Sequence, residues 1–236
     1  LEHEKIPMHM IVGTSVGSLV GALYASNPDS FQLEWMAFSL EREDIFDFSL
    51  FSSRMGPVVG DRLEEFVKKK IPQQNIEDLK VPFAAVATDL NTGERIVLAQ
   101  GPIARAVRAS SAIPGVFHPV KHQGHLLVDG GVVDNVPVDV ARELGADVVI
   151  AVNIGKGVVN FKVDNLADVS LQAVNIMANE IMRFKIKDAD VIIEPNVKTV
   201  AMMDFSQKKE CMEAGIAAAK EALPSILKAI EKWGKK

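Results

Sequence analysis

Three groups of residues in this chain could do covalent chemistry together. Ser15 lies in Gly13-Thr14-Ser15-Val16-Gly17, a Gly-x-Ser-x-Gly pattern, Asp129 heads Asp129-Gly130-Gly131, and the five histidines are His3, His9, His118, His122 and His125. A serine hydroxyl attacks an acyl carbon only when a base within hydrogen-bond reach takes its proton. Histidine is the usual base, and in the common α/β-hydrolase order the serine is followed by the acid and then the histidine. No histidine follows Asp129 here. With Asp129 as the acid that order is impossible, and a triad would need another acid with one of the middle histidines. The economical arrangement is a dyad, Ser15 as nucleophile and Asp129 as general base and acid. The carboxylate would take the serine proton, pass it to the leaving group, and then activate water for deacylation. A free aspartate, with a pKa of ~3.9, is a weak base for this, so the dyad requires a partly buried carboxylate in a dry pocket. Asp-Gly is also a hairpin signal, but Asp129 closes the apolar run Leu126–Val128, and the turn of that hairpin is already supplied by His122-Gln123-Gly124.

The elements around Ser15 fit the role. Met8, Met10, Ile11 and Val12 read as a short buried strand, and after Ser15 the apolar pattern changes to Val16, Leu19, Val20, Leu23 and Tyr24, the spacing of a packed helix. Strand, tight turn and helix around Gly-x-Ser-x-Gly form a nucleophile elbow. The helix start supplies unpaired N–H groups beside Ser15, and the backbone N–H of Val16 is the candidate oxyanion donor. Gly13, Gly17 and Gly21 recur every four residues and would leave one helix face bare for close backbone approach.

Further along, Ser30 is a candidate cap for a helix through Phe38, and Asp61-Arg62-Leu63-Glu64 reads as a capping-box variant opening a helix that ends in Lys68-Lys69-Lys70. Between them, Ile45 to Met55 holds no clean period and reads as a core-covering loop or as part of an apolar pocket or lid. Phe83–Thr88 with Arg95–Ala99, and Val116–Val120 with His125–Val128, form two hairpins separated by a short helix, Ile103–Ala109. Pro137 starts a helix to Leu144, Val148–Asn153 is a buried strand, Leu166–Lys185 a long helix and Val191–Ile193 a strand. Ser206 caps a helix to Leu223, and Pro224 begins another. Strands alternating with helices, with hairpins midway, predict an α/β domain with a mixed, mostly parallel sheet covered on both faces.

Composition limits the function classes. The chain has 236 residues, 48% hydrophobic and 24% charged, enough for one substantial domain. A net charge of -5 with dispersed lysines argues against a nucleic-acid partner. No apolar run approaches the ~18 residues of a membrane span and no signal-peptide pattern heads the chain. The lone Cys211 offers no internal disulfide or metal cluster, and fits a reducing, cytoplasmic setting.

Three motifs occur in order: Gly13-Thr14-Ser15-Val16-Gly17-Ser18, then Ala109-Ser110-Ser111-Ala112-Ile113-Pro114-Gly115, then Asp129-Gly130-Gly131 followed by Asn135-Val136-Pro137. Together they resemble the patatin-like phospholipase family, and within it most of all the bacterial soluble members. The resemblance implies a three-layer α/β/α fold with a mostly parallel central sheet, a single domain over residues 1–236, and a Ser15/Asp129 dyad. It also implies hydrolysis of fatty-acyl esters of lipids through an acyl-enzyme, transient contact with a membrane surface, and no metal or nucleotide cofactor. Family members carry a glycine-rich oxyanion loop after a first strand, upstream of a helix that leads into the elbow. Leu1–Ile6 reads as the tail of that helix, so the loop has no counterpart here and the chain by itself is expected to hydrolyse feebly or not at all. The alternative is a catalytically silent α/β interaction module that keeps the elbow as architecture. Nucleotide binding is disfavoured, because neither Gly-x-Gly-x-x-Gly nor a Lys-Ser/Thr phosphate loop is present.

Overall fold

The computed structural model describes residues 1–47, 57–155, 164, 166–197 and 205–235, without the side chains of 166 and 167. Its organising strand is β2 (Phe83–Asp89), an apolar, alanine-rich run with all seven residues buried. β1 (Ile11–Thr14) pairs with it in parallel, from Ile11 opposite Phe83 to Thr14 opposite Val86. β3 (Arg95–Leu98) returns antiparallel along Ala85–Thr88, and β5 (His125–Asp129) runs antiparallel along Ala87–Asp89. A strand has two edges, and β3 occupies one of them beside Val86 and Ala87. β1 and β5 therefore share the other edge end to end, running toward each other, with Thr14 opposite Val86 and Asp129 opposite Ala87. β4 (Val120–His122) completes this sheet on β5, and β6 (Ile150–Val152) pairs in parallel with β7 (Val191–Ile193) as a second, two-stranded sheet. The larger sheet is mixed, but in it only the β1–β2 pairing is parallel: β2–β3 and β4–β5 are the two hairpins, and the antiparallel β2–β5 pairing joins them, so it holds fewer parallel pairings than the alternation of the sequence predicts.

The side-chain period of two divides β2 between layers. Phe83, Ala85 and Ala87 pack in one core with Leu19 and Ala22 of α1 (Val16–Ser26), Leu63 and Val67 of α4 (Asp61–Lys70) and Val107 of α5 (Ile103–Ser110), where α2 (Ser30–Ser39) and α3 (Arg42–Ile45) precede α4. On the opposite side, Val138 of α6 (Val138–Glu143) and Met182 of α7 (Leu166–Lys185) pack with Val149 and Ala151. The result is an α/β/α arrangement. None of the helices among the described residues is long and apolar enough to cross a membrane.

Several local expectations change where distant side chains supply the caps. α2 is capped by Asp29, whose Oδ1 accepts the Gln32 N–H at 3.0 Å, so Ser30 is the first helical residue instead of the cap. α4 starts from Gly60 rather than from a capping box at Asp61. Its first amides are held by Asp47, whose carboxylate accepts the Gly60 N–H at 2.6 Å and the Asp61 N–H at 2.8 Å. Of the segment Ile45–Met55, residues 48–55 lie outside the described residues; Ile45 is buried and Phe46 packs on Phe117 and Phe205. At the chain start, residues Glu2–Glu4 form a 3-10 turn. β1 begins at Ile11, later than the apolar run, because its partner strand begins at Phe83. Val116–Val120 contributes only its last residue to β4; Phe117 instead bridges to Val58.

The closing segment is one helix, α8 (Lys208–Gly234), preceded by Gln207 and running through Pro224. Proline inside a helix removes one hydrogen bond and clashes with the preceding turn, at a cost of ~3 kcal/mol. The continuation is held by Ile226, fully buried against Ile6, Val191 and Ile193.

The α4 cap gives a direct test. Asp47→Ala should lower the urea-derived unfolding free energy by about 1 kcal/mol, the usual value of a side-chain cap. Gly60→Ala should cost more, because Gly60 has φ +91° and a Cβ there would lie 2.0 Å from Nε of the buried Arg108. Equal stability of the Gly60→Ala variant and the wild type would contradict this packing.

Candidate active site

Ser15 stands between β1 and α1 with φ 54° and ψ -126°, a backbone conformation that side chains other than glycine rarely adopt. Its carbonyl starts the helix, accepting the Ser18 N–H at 2.9 Å and the Ser18 hydroxyl at 2.7 Å. Its own N–H donates to Ser110 Oγ at 3.0 Å, and the Ser110 hydroxyl in turn donates to the Val86 carbonyl at 2.7 Å. The fully buried Ser110 thus ties the elbow to β2. The Ser15 amide is committed to this bond, whereas the next amide, that of Val16, belongs to the first helical turn and has no acceptor within the helix.

The glycines divide into two kinds. Gly13 lies under the start of α1 so closely that a Cβ would be 2.3 Å from the Gly17 carbonyl oxygen, and one on Gly21 would be 2.8 Å from Ile11 Cγ2. Gly17 itself faces open space, so the bare helix face expected from the four-residue repeat is used at Gly13 and Gly21 only.

Asp129 ends β5 and is buried, with its N–H donating to the Ala112 carbonyl at 2.9 Å and its carbonyl accepting the Thr88 hydroxyl at 3.1 Å. Carboxylate Oδ1 accepts the Gly131 N–H at 2.7 Å, while Oδ2 is buried without a formed hydrogen bond. Burial pushes the Asp129 pKa up to about 6, against the opposing pull of the Ser15 hydroxyl and the Gly131 amide. The Ser15 hydroxyl thus weighs on the carboxylate's proton affinity, while no hydrogen bond between the two side chains is formed. Serine–base contacts of this kind often tighten only around substrate. Gly130 makes the approach possible: a Cβ there would lie 2.3 Å from the Val86 oxygen. A Cβ on Gly130 would also lie 3.0 Å from Thr14 Cγ2, so Gly130 serves contact with the elbow strand, whereas Gly131 is confined by the side chains of Asp129 and Asn135.

The histidines are placed differently. His122 and His125 face each other across the hairpin tip, with His125 about 14 Å up β5 from Asp129 at ~3.4 Å per residue. His125 Nδ1 is 2.8 Å from Oδ2 of the buried Asp89, which holds the Asp89 carboxyl below the usual carboxylate range. The backbone of His118 bonds to Val58, and its carbonyl accepts from Arg108. Among the described residues no group of three or more His, Cys, Asp and Glu could hold a metal. Sequence reasoning left Ser110 without a role; its signal lay only in the Ala109–Gly115 motif, since its partners are far away in the chain.

A serine elbow at the end of β1 and a buried carboxylate at the end of β5 thus meet on one edge of β2 in an α/β protein. The family model described as patatin-like phospholipase matches residues 1–142, and the chain belongs to that family. The patatin-like phospholipase domain-containing protein ZK370.4 of Caenorhabditis elegans is 30% identical over 266 residues, covering 96% of this chain and 19% of that protein. The human patatin-like phospholipase domain-containing protein 6 is 33% identical over 163 residues, covering 66% of this chain and 12% of its own length. A lysophospholipase, NTE1 of Mycosarcoma maydis, is 36% identical over 161 residues, covering 66% of this chain and 8% of its length. This chain spans less than a fifth of the length of these relatives.

The raised pKa of Asp129 has a consequence for stability. Its folded value, about 6, lies above the ordinary value near 3.8. The charged form is therefore the one that folding disfavours, and stability present at pH 4 is lost as pH rises through 6. Asp129→Asn mimics the protonated form, so it should match the wild type in urea denaturation at pH 4 and exceed it by on the order of 1–3 kcal/mol at pH 8. A variant less stable at pH 8 would show that the carboxylate is not held at a cost.

Proposed function

We propose that this protein is a serine hydrolase of fatty-acyl lipid esters, with residues 1–236 acting as one hydrolase domain. The observation that supports the reading is the end-to-end meeting of β1 and β5 on one edge of β2, with Thr14, next to Ser15, opposite Val86 and Asp129 opposite Ala87. Ionised Asp129 takes the Ser15 proton as Oγ attacks the ester carbonyl. The Val16 N–H faces the developing oxyanion at the positive end of α1. Asp129 then gives the proton to the leaving alkoxide, and the acyl group remains on Oγ. In the second half Asp129 takes a proton from water, hydroxide character attacks the acyl carbon, and the proton returns to Oγ as the fatty acid departs. These steps balance with nucleophile, base and water alone, so the reading calls for no cofactor.

The pKa of Asp129 suits the work, because a base poised near the operating pH balances ionisation against proton affinity. A lipid ester is the substrate class that the relatives named phospholipase and lysophospholipase support. The encounter then takes place at a lipid surface, through transient contact.

Hydrolysis of lysophospholipid micelles and of a p-nitrophenyl acyl ester by the full-length protein that contains this chain tests the reading. Ser15→Ala and Asp129→Asn should each reduce kcat by at least about a thousandfold. His118→Ala, His122→Ala and His125→Ala should stay within about threefold of wild type per folded protein. The rate should rise with pH through about 6, as Asp129 ionises. An active Asp129→Asn variant would remove the dyad, and a full-length protein containing this chain that is inert toward every ester would favour the silent interaction module.

A further inference from the structure

Thr14, the residue before the nucleophile, points to the sheet face opposite α1 and is buried. Its hydroxyl donates to the Asp134 carbonyl at 2.8 Å, and its methyl lies against Gly130, where a Cβ would be 3.0 Å from Thr14 Cγ2. Asp134 closes the turn that Asp129 begins, donating its N–H to the Gly130 carbonyl at 2.8 Å. The same residue is anchored from outside the turn. Its carboxylate, shielded from solvent, meets Arg95 at 2.8 Å and Lys185 at 3.3 Å. Arg95 reaches over from β3, on the far edge of β2, and is braced by Asp139 and by both carboxylate oxygens of Glu143 at 3.0 Å.

We propose that Thr14, acting through Asp134 and its anchor Arg95, is a positioning residue that sets the separation of Ser15 and Asp129. The inference rests on the dyad reading above. Its logic is mechanical. The turn after Asp129 follows the acid wherever it goes, and the one side-chain hydrogen bond described from β1 to that turn leaves from the residue next to the nucleophile. Elbow and acid therefore share a fixed point, and Arg95 with Lys185 keeps that point from drifting. Loss of the Thr14 hydroxyl frees the turn while leaving the proposed catalytic groups, Ser15 Oγ, the Asp129 carboxylate and the Val16 amide, chemically intact. A misplacement of about 1 Å at such a pair can cost ~10² in rate.

The test compares Thr14→Val, close in shape but without the hydroxyl, with Thr14→Ser, which keeps it, in the full-length protein that contains this chain, acting on a p-nitrophenyl acyl ester. Thr14→Val should lower kcat by about tenfold to a hundredfold at unchanged KM, and Thr14→Ser should return kcat to within about threefold of wild type. Asp47→Ala, which loosens α4 and touches none of these groups, should keep kcat and so separates positioning from general loss of stability. Arg95→Gln should also lower kcat at unchanged KM, and it decides the matter if Thr14→Val does not fold. Wild-type kcat in folded Thr14→Val, or in Arg95→Gln where Thr14→Val fails to fold, overturns the proposal. Asp129→Asn is assayed beside them: if it is inactive while those variants are normal, positioning fails and the dyad stands, whereas an active Asp129→Asn variant removes the dyad itself.

Discussion

Two strands sharing one edge of a third is the constraint on which this site depends. β1 climbs the edge of β2 as far as Val86 and β5 descends it as far as Ala87, so the chain must leave the sheet twice within one residue step. Both exits need backbone that ordinary side chains would block. At one exit the sharp turn places Ser15 at φ 54°, and at the other Gly130 passes the Val86 carbonyl with no room for a Cβ. The serine and the carboxylate come together because the ladder runs out at that point.

Energy held at this junction is supplied by what surrounds it. A strained serine and a buried carboxylate each oppose folding, by amounts on the order of 1–3 kcal/mol. The surrounding core is built from small residues, among them Ala22, Ala85, Ala87 and Ala109, all fully buried, which let α1 and α5 lie close on the sheet. Close packing of this kind has few alternative arrangements and holds the elbow in place. Ser110 ties the serine side of the junction to the central strand by accepting from Ser15 and donating to Val86.

Much of this was legible locally. The change of period around Ser15, the hairpin ending in Asp129, the long helix Leu166–Lys185 and the strand Val191–Ile193 follow from residue order alone, because strand and helix periods are properties of neighbours. The parts that were not legible depend on residues far apart in the chain. Asp47 caps α4 from 14 residues before Asp61, Ser110 meets Ser15 across 95 positions, and Thr14 meets Asp134 across 120. Pro224 reads as a helix start by every local rule, and only the packing of Ile226 on Ile6, Val191 and Ile193 carries α8 past it. The motifs mark Ser110, Thr14 and Gly130 as present; the folded chain shows what they touch.

In the proposed dyad the buried carboxylate of Asp129 activates Ser15 without a histidine. The rate at which a fluorophosphonate probe labels Ser15, followed by mass spectrometry across pH, measures that activation directly, because the reaction requires the serine alone to be made nucleophilic. The labelling rate should rise through pH about 6, the value to which burial pushes Asp129, and disappear in Asp129→Asn. Labelling of Ser15 at an undiminished rate in Asp129→Asn would contradict the dyad.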